Sequence, residues 1–175
     1  MLILKPFDTD NKDILEKEWV YIRDLPKDEN GFTNDYCGIS WEYFCSVYVP
    51  HRRNFAEGRD LPKGFVRQID FILWDEDTIA GMFRVRPQLN DFLRNVTGGH
   101  IGYGILPKFR GKGYATEGLS LALRELQRMT DDSESYLFCN KDNVVSLRVM
   151  LKNGGYIHHE TEEYLAVRIP LTTVK

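Results

Sequence analysis

Residues 107–118 read Pro-Lys-Phe-Arg-Gly-Lys-Gly-Tyr-Ala-Thr-Glu-Gly. Two glycines, an arginine and a lysine occupy four consecutive positions, after an apolar strand and before a helix. Glycine lets a backbone turn where a side chain would clash, or approach something closely. A loop of this kind exposes unpaired N–H groups, and the helix N-terminus adds partial positive charge, so it can hold an anion. Arg110 and Lys112 strengthen it for a group with more than one negative charge, such as a pyrophosphate. The same residues also suit a plain strand-to-helix turn with two solvated basic side chains.

Two nucleotide motifs can be tested on this loop. A P-loop needs G-x-x-x-x-G-K-[ST], whereas here the lysine lies between the glycines and is followed by Gly113. A dinucleotide fingerprint needs G-x-G-x-x-G, and the run from Gly111 to Thr116 fails at its last position, unless Gly118 stands in. Both fit poorly.

The elements that must position the loop follow from the pattern around it. Leu15, Trp19 and Ile22 recur at helical spacing and predict a helix ending before Pro26. Ser40 can cap a second helix whose apolar face is Trp41, Phe44, Cys45 and Tyr48, its aromatics Trp41, Phe44 and Tyr48 read as core rather than as substrate-stacking groups. Residues 49–64, with two prolines, two glycines and several charges, read as a loop. A β-hairpin follows, from Phe65 to Trp74 and from Ile79 to Val85, with Asp75, Glu76 and Asp77 at its turn. After a loop at 87–98, Gly99 to Leu106 forms a strand that Pro107 ends. Ala115, Leu119, Ala122, Leu123, Leu126 and Met129 share one helix face. Strand Tyr136 to Asn140 comes next, then a helix from about Val144 to Lys152 that stops at Gly154-Gly155. A last hairpin pairs Tyr156 to Glu160 with Tyr164 to Ile169. This order predicts an α/β chain with a mixed sheet covered on both faces.

With 175 residues the chain is expected to be one domain, 1–175, able to bury a substantial core. Hydrophobic residues at 42% and charged residues at 28% are a normal globular balance. No apolar run approaches the ~20 residues of a membrane span. No secretory signal is legible at the N-terminus, so a cytoplasmic location and no membrane partner are expected. Three cysteines without a C-x-x-C pair predict neither a disulfide framework nor a metal site. A net charge of −3 gives no general attraction to nucleic acid. Asp-Leu-Pro-Lys occurs at 24–27 and 60–63, but the flanks do not match, so it marks no repeat.

The stretch from Ile105 to Ala115 resembles the acetyl-CoA signature of the GNAT superfamily of N-acetyltransferases, R/Q-x-x-G-x-G/A, with Arg110, Gly113 and Ala115 at its fixed positions. The run from Asn143 to Gly154 is similar to the family's next helix, which starts with an asparagine and ends in Lys-x-Gly. The order of elements extends the resemblance over nearly the whole chain, least over the first 60 residues. The resemblance implies a GNAT-like fold, with a central, mostly antiparallel twisted sheet and helices on both faces. It implies acetyl-CoA as cosubstrate and no metal, with the N–H groups of Gly111, Lys112, Gly113, Tyr114, Ala115 and Thr116 around the pyrophosphate. The backbone near Ile105 would pair with the pantetheine arm, and Asn143 and Ser146 would approach the cofactor. The acceptor would be an amine of a small molecule or peptide. A homodimer is one assembly open to such a chain.

Acetyl transfer needs a neutral amine, and a lysine-like amine near pKa 10.4 is about three units from neutrality at pH 7, or ~4 to 5 kcal/mol. An N–H near Ile105 is a suitable donor to the developing oxyanion. The strand from Gly99 to Gly104 contains no acid, so His100 is the candidate base, against the alternative of a histidine bonded only to structure. Tyr103, on the opposite face by alternation, either lines the substrate cleft or packs in the core. The family's usual acid is a tyrosine seven residues after the asparagine, where this chain has Met150. A coenzyme A thiolate needs little help at neutral pH, so the lost acid is worth ~2 kcal/mol unless another residue such as Tyr156 replaces it. The loop at 87–98, with Asp91, and the acidic turn Asp28-Glu29 are expected on the acceptor side. An acyl-CoA-binding module without turnover is the alternative function, and a structural domain without a cofactor a further one.

Overall fold

The structure, a computed structural model, describes residues 1–171. In chain order it contains β1 (Leu2–Pro6), α1 (Lys12–Asp24), β2 (Asp28–Glu29), β3 (Phe32–Thr33), α2 (Trp41–Tyr43) and α3 (Val49–Glu57). Then come β4 (Ile69–Asp75), β5 (Thr78–Val85), α4 (Asp91–Asn95), β6 (Ile101–Ile105), α5 (Tyr114–Gln127), β7 (Glu134–Asn140), α6 (Val144–Lys152), β8 (Tyr156–Glu160) and β9 (Tyr164–Pro170). One sheet has the order β1-β4-β5-β6 and another β7-β9-β8, with antiparallel neighbours in both. The expected α/β class, with an antiparallel sheet and helices on both faces, is what the chain adopts.

Strand alternation builds two cores on the first sheet. Phe71, Leu73, Phe83 and Val85 face α5, whose Leu119, Ala122 and Leu126 are fully buried. Ile72, Trp74 and Met82 face the other way, against Ile22 of α1 and against Phe44 and Tyr48. Gly118 of α5 allows the closest helix approach, because a Cβ there would sit 2.4 Å from the Phe83 ring. Phe44 and Tyr48 are thus core, as expected, and Ser40 does cap α2, its hydroxyl accepting the Tyr43 N–H.

Several elements differ from the sequence reading. Residues 49–64 are not all loop, since α2 runs on through a π-helical turn, Phe44–Tyr48, into α3. Pro50 directly follows the π-helical turn, whose wider bonding, with the Val49 N–H on the Phe44 carbonyl, accommodates a residue that has no N–H of its own. Gly58, at φ +71°, ends that helix. The strand expected from Phe65 begins only at Ile69, and the loop at 87–98 holds α4, capped by Asn90 through the Leu93 N–H. Strand β1 and the β2–β3 hairpin were not anticipated.

Candidate active site

Strands β6 and β7, joined through α5, meet only at one end. There the His100 N–H donates to the Tyr136 carbonyl at 2.7 Å, and the Tyr136 N–H donates to His100 Nδ1 at 2.9 Å. Gly99 makes this junction feasible, because a Cβ there would stand 2.1 Å from the Tyr136 oxygen. Beyond it the two sheets separate. Arg86 donates to His100 and Leu106 to Ala80, which fixes the alternation of the β5–β6 ladder. By that alternation Gly102 and Gly104 turn their amides toward β5, while Tyr103 and Ile105 turn theirs toward the gap. The Ile105 carbonyl is taken by Arg110 Nε at 2.9 Å. An unpaired strand edge of this kind is suited to an extended ligand.

The glycine loop sits at the end of this edge. Gly111 and Gly113 have φ of +73° and +87°, and a Cβ on either would meet nothing within 4 Å. Gly113 is the N-cap of α5 and provides no side chain to cap it. The first intrahelical bond runs from the Glu117 N–H to the Gly113 carbonyl, so the N–H groups of Tyr114, Ala115 and Thr116 have no helical acceptor. The loop thus has open space, oriented donors and the positive end of a helix of fourteen residues. Those features fit a pyrophosphate. Lys112 is exposed, whereas Arg110 folds back, with Nη2 2.8 Å from Glu29 Oε1. Tyr114 turns away and donates to Asp75 at 2.6 Å, and the Thr116 carbonyl accepts from Asn153.

The far wall of the gap is α6. Asn143 caps it, its Oδ1 accepting the Ser146 N–H at 3.1 Å. The Tyr103 hydroxyl lies 2.9 Å from Ser146 Oγ and 3.2 Å from the Ser146 carbonyl. Tyr103 also stacks on Phe83, and burial holds its phenol well above the usual tyrosine range, so it stays protonated and can donate a hydrogen bond. The β2–β3 hairpin bridges the open end. Phe32 lies over Gly104, Gly31 is beside the Asn140 side chain, and Glu29 holds Arg110. The acidic turn expected on the acceptor side is therefore engaged, with Asp28 accepting the Gly31 N–H.

His100 is in a different environment from the one expected of a base. It is fully buried at the closed end, and its Nδ1 accepts the Tyr136 N–H. Its Nε2 therefore carries the proton and donates to Asp132 at 3.0 Å. Burial pushes its pKa down to about 4 against the opposing pull of Asp132, so the ring is neutral and both nitrogens are occupied. Helix α4 sits at this same end, with Arg94 2.9 Å from Asp132, and Asp91 is an exposed residue of its first turn. Met150 is a core residue, 1% exposed, and Tyr156 is tied to Glu134 on the outer strand β8. Met150 has no proton to give, and the Tyr156 hydroxyl already donates to Glu134.

Sequence reasoning missed the opposite face of the first sheet. There Asp70, Arg84 and Gly102 form one cross-strand row, and a Cβ on Gly102 would meet nothing within 4 Å. Arg84 lies over the Phe32 ring at 4.3 Å. Arg52 reaches Asp70 at 3.4 Å, Tyr36 bonds His51 Nδ1 at 2.8 Å, and Arg86 donates to the Gly99 carbonyl. These positions are scattered in sequence, so no local pattern announces them.

The likeness to known proteins agrees with this geometry. A family model described as an acetyltransferase (GNAT) domain matches residues 2–155. A comparison with curated protein sequences finds no match. Among solved structures, an acetyltransferase of the GNAT family from Streptococcus pneumoniae superposes with a TM-score of 0.60 at 10% identity, covering 96% of this chain and 97% of that one. Spermidine N-acetyltransferase from Vibrio cholerae, in complex with CoA and spermine, gives 0.60 at 15% identity, with 98% and 96% covered. The Campylobacter jejuni N-acetyltransferase PseH gives 0.57 at 13%, with 98% and 99% covered. The separated strands, the uncapped glycine loop and the family match over nearly the whole chain lead to one assignment, that this protein is a member of the GNAT acetyltransferase family.

Proposed function

We propose that the protein is an N-acetyltransferase, a single domain that moves an acetyl group from acetyl-CoA to a primary amine by direct attack on the thioester. The observation that carries this reading is the open glycine loop at the end of a strand edge whose amides face a gap. Acetyl-CoA supplies the activated carbonyl, and the residues of this chain do the rest. The N–H groups of Gly111 to Thr116 and the Lys112 ammonium hold the pyrophosphate. The backbone of Tyr103 and Ile105 pairs with the extended arm, and one of its N–H groups donates to the carbonyl oxygen as negative charge develops there.

The departing thiolate needs a hydrogen-bond donor near the gap. Tyr103, held by Ser146 and protonated at neutral pH, stabilises the departing sulfur by a hydrogen bond, and the thiolate then takes its proton from solvent. The incoming amine must lose a proton, and the positive field of Arg84 and Arg86 disfavours its ammonium form. No described carboxylate other than the buried Asp70 belongs to the row around Gly102, so the proton passes to solvent through the open space there. His100 is a positioning residue, locking the closed end where the sheets meet. The polyamine bound by the Vibrio cholerae enzyme is a polycation. The arginines here suit a different acceptor.

The test is release of free thiol from acetyl-CoA with a panel of primary amines. Amine-dependent release, with the acetylated amine found by mass spectrometry, supports the proposal. Tight acetyl-CoA binding without amine-dependent release would leave only a binding module.

A further inference from the structure

Resting on the reading just given, we infer that the acceptor carries an anionic group a few bonds from its amine, and that Arg84, flanked by Arg52 and Arg86, recognises it in the open space over Gly102.

Three guanidinium groups converge on this face. Arg84 faces the same side as its cross-strand partners Asp70 and Gly102, and Arg86 lies two residues further along β5. Arg52 comes from α3 and lies against the Tyr48 and Phe55 rings. Against these three charges the cluster holds one buried carboxylate, Asp70, which is already bonded to Arg52 and Gln68. Glu18, packed nearby from α1, is neutral at pH 7, since burial pushes its pKa up to about 9. Asp8 precedes α1 and gives its N–H to Glu18, Asp35 is exposed, and Glu29 is paired with Arg110.

The donors are also incompletely used. Nε of Arg52 and Nε of Arg84 are buried without a hydrogen-bond partner. The Arg84 backbone is held in the ladder, but its Nε has no partner, and its guanidinium lies over the face of Phe32. A buried guanidinium nitrogen lacking a partner is costly unless something supplies one. Next to it lies the one stretch of β6 that is open on this face, because Gly104 is covered by Phe32 and Gly102 is not. Gly102 adjoins Tyr103, whose amide faces the gap. A molecule over Gly102 can thus direct an amine toward the strand edge and an anion toward Arg84, which sits directly across the ladder.

The chemistry recognised is an anion, carboxylate or phosphate, close to a primary amine. Calorimetric titration of the protein with coenzyme A present separates the sources. The probes are matched pairs, L-lysine with cadaverine, L-phenylalanine with phenethylamine, and phosphoethanolamine with ethanolamine. The inference expects the anionic member of at least one pair to bind about tenfold or more tightly, with the preference lost in Arg84→Gln. The carboxylate and phosphate pairs show which anion is used. Equal affinity within every pair, tighter binding of the amines that lack the anionic group, or no binding of any anionic member at millimolar concentration would each overturn it, whatever the state of folding of the variant. These affinities are read without turnover, so absence of thiol release would refute the acetyltransferase reading separately.

Discussion

The Tyr103 hydroxyl and Ser146 Oγ stand 2.9 Å apart across the gap between β6 and α6, and the same hydroxyl reaches the Ser146 carbonyl at 3.2 Å. The contact puts a protonated phenol beside the strand edge on which the acyl group is proposed to lie. Tyr103→Phe removes the hydrogen-bond donor and keeps the ring stacked on Phe83. The expected result is a fall in kcat of about 30-fold, ~2 kcal/mol, with the KM for acetyl-CoA little changed. A full kcat in the variant would remove Tyr103 from the chemistry.

His100 predicts an acid-sensitive fold. Its pKa falls from about 6.5 in the unfolded chain to about 4 in the folded one, so the unfolded state binds more protons between those values. Stability that is complete above pH 6.5 is therefore lost as pH falls toward 4, by up to about 3 kcal/mol from this group. His100→Asn keeps an acceptor for the Tyr136 N–H. The variant should be less stable than wild type at pH 7, by a margin that narrows on acidification, while the pH profile of turnover between about pH 6 and 9 is unchanged. A profile that loses its acidic limb in the variant would restore His100 as the base.

Glu18 predicts the opposite slope. Its carboxyl, 1% exposed, accepts the Asp8 N–H and has its pKa raised to about 9, first by burial. The folded state retains a proton that the unfolded state gives up near pH 4.5, so this group lowers stability progressively as pH rises from 4.5 to 9. At pH 7 the cost is about 3 kcal/mol. Glu18→Gln keeps an acceptor oxygen and abolishes the titration. Its unfolding midpoint should exceed that of wild type at pH 8 and converge with it near pH 4.5, and equal midpoints at pH 8 would contradict the assignment.

What was legible in the sequence was what is local. The glycine loop could be read because Gly111 and Gly113 need positive φ, and α5 because its apolar face repeats every turn. The α3 helix was hidden by Pro50, a residue that argues against a helix interior and is accommodated here only behind a π-helical turn. Strand β1 has no fully buried position, so its alternation carried little signal. The gap itself arises from one meeting of His100 with Tyr136, 36 residues apart, and no period in the chain encodes that. For the same reason His100 read as a free base, when a long-range contact occupies each ring nitrogen. The arginine cluster brings together α3 and β5, and its unpartnered Nε atoms exist only in the folded chain.

The central claim is that the loop from Gly111 to Thr116 holds the pyrophosphate of acetyl-CoA, and thermal unfolding with and without that ligand tests it most directly. At about 100 times its dissociation constant the ligand should add ~2.7 kcal/mol to wild-type stability. Gly113→Glu, which puts a carboxylate at the N-cap of α5, should show no shift relative to its own unliganded baseline. A wild-type protein that melts at the same temperature in millimolar acetyl-CoA, or a variant stabilised as much as wild type, would contradict the account.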